Sequence, residues 1–128
     1  MRLLLDTCAF LWAISAPAEL SDKARELFVD PGNEIFLSVV SCWEIALKHS
    51  LGRLPLPEPV SEFVPAQRQA HGIQTLPLDE ECALHLARLP KLHGDPFDRM
   101  LASQSIVHGL ALLSPDRQLA RYPVRILW

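Results

Sequence analysis

Three leucines stand without interruption between Arg2 and Asp6, and this run limits the possible folds more than any other stretch. A strand with one face in water alternates apolar and polar residues. A short unbroken apolar run closed by an acid reads instead as a strand buried on both faces. Strands of that kind belong to sheets covered by helices on both sides. Further strand signals recur at "GNEIFLS", a turn followed by the second strand, at "IQTLP", at "LALLS" and at the terminal "VRILW".

Helical patterns fill the intervals. "CAFLWAIS" begins a short helix stopped near "APAEL", and Ser21 caps "DKARELFVD", which gathers Ala24, Leu27 and Phe28 on one face. "VVSCWEIALKHSLG" is the clearest helix, with an apolar face through Val40, Trp43 and Leu47 and with Gly52 as terminator. "RLPLPEP" is a loop, since helix cannot continue through its prolines. In "VSEFVPAQRQAHG", Pro65 near the middle predicts a break or a late start. "LDEECALHLARL" reads as a helix with an acidic first turn and with Cys82, Ala83, Leu86 and Leu89 as its apolar positions. A last long helix is expected from Pro96 to about His108, and a short helical turn at "PDRQLA". Strands alternating with helices argue one three-layer α/β/α domain over residues 1–128, with a mainly parallel central sheet.

Hydrophobic residues make up 49% of the chain and charged residues 21%, enough apolar material for a core without staples. A net charge of −3 argues against a tight, sequence-independent binder of duplex nucleic acid. It is compatible with an enzyme that meets a phosphodiester at one local site. Cys8, Cys42 and Cys82 are widely spaced and form no C-x-x-C pair, so they read as buried small hydrophobes in a reducing compartment. "MRLLLD" reaches an acid too soon for a signal-peptide core, and no apolar run approaches membrane-spanning length. The expectation is a cytoplasmic protein with no membrane segment.

In a parallel sheet, ligands sit beyond the carboxyl ends of the strands. Asp6 follows the first strand directly, and Asp116 follows "LALLS". Glu44 lies early in the helix after the second strand, and the helix from Pro96 begins at the same rim if its following strand is parallel to the first. That arrangement brings Asp95 and Asp98 to Asp6, Glu44 and Asp116. Each acid also has a purely structural reading. Asp95 suits a helix N-cap with Pro96 at the first helical position, Ser41-x-x-Glu44 matches a capping box, and "SPD" suits a helical start at Asp116. Against this, Asp6 and Asp116 end near-continuous apolar strands, where a partly buried carboxylate needs a counter-charge. Converging carboxylates repel and raise one another's pKa. A hard divalent cation relieves both costs, and no His/Cys cluster competes for a softer one.

Four blocks, "LLLDTCAFLW", "SVVSCWEIALK", "HGDPFDRMLASQS" and "LLSPDRQLARYPVRILW", carry a resemblance. In that order and spacing, the chain resembles a PIN-domain ribonuclease of the VapC-like toxin type. The resemblance implies a catalytic and metal-binding set of Asp6, Glu44, Asp98 and Asp116, holding Mg²⁺ (or Mn²⁺). It places Asp95 first as an N-cap and then as an outer ligand, with Ser114 and Thr7 also near the site. It implies cleavage of RNA, tRNA among the candidates, by a homodimer controlled by a cognate VapB-like antitoxin, and an edge position for the third strand. Arg99 and Lys48 are candidate phosphate contacts, Lys48 having an ordinary i,i+4 partnership with Glu44 as its other reading. His71, His85, His93 and His108 show no ligand pattern and read as surface or packing residues. Trp12, Trp43 and Trp128 read as core, dimer or antitoxin contacts.

Other classes fit less well. A haloacid-dehalogenase-type phosphatase needs an acid two residues after the first Asp, where this chain has Cys8. A receiver domain needs an acidic pair, a central Asp and a late Lys that are missing here. The serious rival is a PIN-like binding module without catalysis, acting through a protein partner.

Overall fold

The computed structural model describes residues 1–92 and 94–128; His93 lies outside the described residues. Five strands form one sheet: β1 (Arg2–Leu5), β2 (Glu34–Ser38), β3 (Gln74–Leu76), β4 (Ala111–Leu113) and β5 (Ile126–Leu127). Their order is β3-β2-β1-β4-β5, and every pairing is parallel. The expectation of a mainly parallel sheet is met in full. β1 sits at the centre, in register with β2 from Arg2↔Glu34 to Leu5↔Leu37 and with β4 from Leu3↔Ala111 to Leu5↔Leu113. From β1 the chain builds outward to β2 and β3, and then crosses to β4 and β5. The reversal of direction falls between β1 and β4, the place where a parallel sheet opens a crevice at its carboxyl edge.

The leucine run explains itself in three dimensions. Leu3, Leu4 and Leu5 are all fully buried, because successive side chains of a strand point to opposite faces. Leu3 and Leu5 join Ile35, Leu37 and Leu113 in one core cluster. That cluster is covered by Ala9 and Phe10 of α1 (Thr7–Ser15), Ala24 of α2 (Asp22–Val29), Ile45 of α3 (Val39–Ser50), and Phe63 and Val64 of α4 (Val60–Ala70). Leu4 faces the other way, into a second cluster with Phe36, Leu112, and Leu101 and Ala102 of α6 (Pro96–His108). Alongside α6 lies α5 (Glu80–His85). The sheet is therefore the middle of three layers.

Several local expectations need correction. The helix α3 is capped by Ser38, whose hydroxyl accepts the Val40 N–H at 3.0 Å, so Ser41-x-x-Glu44 is no capping box. Ser41 and Glu44 lie inside the helix, and its buried face is Val40, Ser41, Glu44 and Ile45. Trp43 is 59% exposed and Leu47 is exposed as well. The apolar stripe read from the sequence is thus rotated away from the core, because α3 turns a polar pair toward the sheet edge. Pro65 neither breaks nor delays α4, which runs through it. One amide hydrogen bond is lost there, while burial of Phe63 and Val64 on the same helix opposes the loss. The helix α5 stops at His85 and passes into a 3₁₀ turn, Leu86–Arg88, and Ala83 is exposed. Gly52, with φ of +71°, ends α3 where expected. Gly109 takes the left-handed conformation at the end of α6, a geometry that costs glycine nothing.

A polar bridge ties α6 to the carboxyl ends of β2 and β3. Gln104 of α6 is fully buried. Its Oε1 accepts the Ser38 hydroxyl at 2.6 Å, and its Nε2 donates to the Pro77 carbonyl at 3.2 Å. Gln104→Leu keeps the volume and orphans both partners. We expect a loss of about 2 kcal/mol, measured by urea unfolding, since a buried unpaired group forfeits its hydration without return.

Candidate metal centre

Asp6 begins α1 at the carboxyl end of β1. Its Oδ1 accepts the Ala9 N–H at 2.6 Å and its Oδ2 accepts the Ser114 hydroxyl at 2.5 Å. Its own N–H bonds to the Leu113 carbonyl at 3.1 Å, which pins the residue to the crevice between β1 and β4. Only 4% of Asp6 is exposed. Burial drives its pKa up to about 6, with the charges of Glu44 and Asp116 adding to the rise and the Ser114 and Ala9 bonds opposing it.

Glu44 reaches the same crevice from the second turn of α3 and is 5% exposed. Its Oε1 accepts the Thr7 hydroxyl at 2.6 Å, and its Oε2 pairs with Lys48 one turn later. Thr7 Oγ1 also lies 2.9 Å from Ser41 Oγ. A hydroxyl has one hydrogen to give, so Thr7 donates to Glu44 and accepts from Ser41. Partnership with Glu44 raises the Lys48 pKa. The capping role of Asp95 is present: its Oδ1 accepts the N–H groups of Phe97 at 2.9 Å and Asp98 at 3.0 Å. Asp116 caps the turn after β4, accepting the Gln118 N–H at 2.9 Å and giving its own N–H to Ser114 at 3.1 Å.

Asp98 stands in the first turn of α6. Its pKa rises to about 7, first through burial and then through Asp95, Asp6, Glu44 and Asp116 in turn. Structural capping and the gathering of acids are therefore both real, and they are not alternatives. The caps fix the directions in which these carboxylates point.

A cleft of about 300 Å³ opens between them, lined by Asp6, Glu44, Asp95, Asp98 and Asp116, with Thr7 and Lys48 on the same wall. All the acids expected from sequence meet here. Ser114 stands behind Asp6. Arg99 does not line this cleft; it lines a separate groove with Leu86, Leu89 and Lys91, because it leaves α6 on the side facing α5. Cys8 lines the acidic cleft, a position its reading as a buried hydrophobe missed; its place two residues after Asp6 in the first turn of α1 was the available signal. Trp43 meets Phe97 edge to face at 4.9 Å, joining α3 to the start of α6.

The donors fit a hard cation. Five carboxylates face the cleft with one lysine, and burial, reinforced by the neighbouring acids, raises the pKa values of Asp6 and Asp98, so that ionising them here is costly without a cation. Among the described residues, no three of these acids bring their oxygens within 4.8 Å of one another. A cleft of that width suits an ion that keeps several of its waters and takes few protein ligands, the habit of Mg²⁺.

The sequence model of the PIN domain matches residues 3–125. Over 117 residues the chain is 29% identical to Ribonuclease VapC22 of Mycobacterium tuberculosis, covering 91% of this chain and 88% of that protein. It is 37% identical over 68 residues to Ribonuclease VapC16 of the same organism, and that match spans 48% of the relative's length. The fold matches that of VapBC2 from Rickettsia felis, solved bound to a promoter DNA fragment, with a TM-score of 0.75 at 15% identity over 99% of this chain and 98% of that one.

Proposed function

The chain belongs to the PIN-domain family, and on that premise we propose that it is a metal-dependent endoribonuclease, the toxin of a VapBC-type toxin–antitoxin module. The observation that carries the reading is the acidic cleft at the point where the sheet reverses direction. It joins four separate chain segments and ends in two carboxyls whose pKa values approach neutrality. A structural role alone gives no reason to gather this much charge, since each cap works equally well in isolation.

In this proposal Asp6, Asp98 and Asp116 hold Mg²⁺ or Mn²⁺. When bound, such an ion polarises phosphoryl oxygens and makes a nucleophile available from water at neutral pH. The protein's own groups prepare the site. The Ser114 hydroxyl and the Ala9 N–H aim the two oxygens of Asp6. Glu44, held in place by the Thr7 hydroxyl and by Lys48, joins Asp6, Asp98 and Asp116 as a ligand or as the group that orients metal-bound water. Lys48 faces the cleft and supplies a positive charge for the phosphate backbone; Arg99, turned toward the other groove, is the weaker candidate. RNA as substrate is in line with the names of the two mycobacterial ribonucleases. A VapB-like antitoxin is proposed as a partner, in line with the VapBC2 complex, and a homodimer is proposed from the family resemblance. Exposed Trp43 and Leu47 on α3 give such a partner apolar surface beside the cleft. Among the described residues no helix is long and apolar enough to cross a membrane.

The test is cleavage of a panel of end-labelled RNAs, tRNA included, by the purified chain with Mg²⁺ or Mn²⁺ and with excess EDTA. Cuts that appear with the ion and vanish with the chelator support the proposal. A chain that binds its antitoxin and cuts no RNA under any ion is the silent binding module instead.

A further inference from the structure

A second set of metal-ligating side chains lies at the opposite end of α6 from the acidic cleft. Asp79, Cys82 and His108 each offer one ligand atom, and these atoms all lie within 4.8 Å of one another. They come from different parts of the fold: Asp79 and Cys82 open α5, and His108 closes α6. His108 Nε2 is 3.0 Å from Asp79 Oδ2, and Asp79 Oδ1 accepts the Cys82 N–H at 2.8 Å. Neither the resemblance nor the proposed nuclease chemistry uses any of the three. The sequence hides the set, because 25 residues lie between Cys82 and His108.

We propose that Asp79, Cys82 and His108 form a site for a borderline-soft divalent ion such as Zn²⁺, distinct in position and in donor chemistry from the acidic cleft. One sulfur, one imidazole nitrogen and one carboxylate oxygen are a zinc-type donor set, whereas the cleft offers chiefly oxygen. Zinc bonds of roughly 2.0–2.3 Å set tetrahedral ligands about 3.3–3.7 Å apart, and the three ligand atoms here already lie within 4.8 Å of one another. The frame is held from outside. Ser103 donates to the Cys82 carbonyl at 2.7 Å, and Arg2 donates to the His108 carbonyl at 3.1 Å, so both helix ends are fixed before an ion arrives. Cys82 is fully buried, while the side chains of Asp79 and His108 are 43% and 30% exposed. The fourth position therefore opens to water.

Binding rearranges two protons. The Cys82 thiol gives its proton to solvent as the sulfur–metal bond forms. Nε2 of His108, which carries the hydrogen accepted by Asp79 in the metal-free protein, releases it to water and becomes a ligand, while Nδ1 takes a hydrogen from water, so the bound ring is neutral. The ion then ties the end of α6 to the start of α5.

The experiment is titration of the metal-free chain with Co²⁺, followed by absorbance and then by displacement with Zn²⁺. One equivalent should produce the thiolate-to-cobalt charge-transfer band and the intense visible bands of a tetrahedral ion. Zn²⁺ should abolish both and raise Tm. The signal should persist in Asp98→Asn and in Cys8→Ser, which alter only the acidic cleft. It should vanish in Cys82→Ser, and affinity should fall at least tenfold in His108→Ala, a partly exposed position where folding is expected to survive. Absence of a thiolate band in the wild-type chain, or a band that survives Cys82→Ser, overturns the proposal. Neither outcome bears on RNA cleavage.

Discussion

Asp98→Asn is expected to abolish RNA cleavage and, in the same molecule, to stabilise the metal-free protein. The two effects have one cause. The Asp98 carboxyl is driven up to about 7 by burial and by the surrounding acids, so at neutral pH its ionised form is disfavoured in the fold. A group with a raised acid pKa binds more protons folded than unfolded, and stability falls as pH rises from about 4 to about 7. Asn carries no charge to disfavour. Above that window the variant should be more stable by roughly 2 kcal/mol, a figure reduced from the full shift because the carboxyl is partly solvated. At pH 4 the difference should be gone. Cleavage should drop by about three orders of magnitude, the order of effect expected when charge stabilisation worth several kcal/mol is lost. Thermal melts at pH 4 and pH 8, with and without Mg²⁺, check the first half, and single-turnover cleavage checks the second. The wild-type protein should gain Tm with Mg²⁺ and the variant should not. A variant that keeps full activity removes Asp98 from the centre.

Leu4→Ala should have the largest effect on stability with little on the site. Leu4 is fully buried on the central strand, packed with Phe36, Leu101 and Leu112. Leucine truncations in such positions cost about 2–5 kcal/mol through lost transfer energy and the cavity left behind. Near 3 kcal/mol is expected here, a fall in Tm of about 10 °C for a chain of this size. Below its new Tm the variant should still cut RNA, since Leu4 points to the α5 and α6 side and Asp6 holds its bonds to Ala9 and Ser114. Leu78→Ala, at a position 38% exposed, is the control and should change stability by less than about 0.5 kcal/mol. Equal losses at the two positions would mean that the central strand is not the heart of the core.

The strands and most of the helices were legible because their signals are local. The bounds of α6 could be read from Asp95-Pro96 at one end and Gly109 at the other, a cap and a left-handed terminator that act within one turn. The errors fell where tertiary contacts outweigh local preference. Pro65 reads as a break because the rule counts one lost hydrogen bond, while the core counts the burial of Phe63 and Val64. Val40, Trp43 and Leu47 read as the one apolar face of their helix because they are apolar and correctly spaced. The sheet edge instead takes Ser41 and Glu44, whose hydrogen bonds to Thr7 make a polar face worth burying.

The sequence by itself determined the layered α/β architecture and the identity of the cleft acids. Buried strands need continuous apolar runs, and acids at strand ends and helix starts are visible one segment at a time. Only the tertiary structure decided which way Arg99 turns, that Glu44 spends both oxygens on Thr7 and Lys48, and that Asp79, Cys82 and His108 meet. Those outcomes depend on how helices rotate and pack against a sheet. Such rotations are set by contacts between residues far apart in the chain, and no local pattern records them.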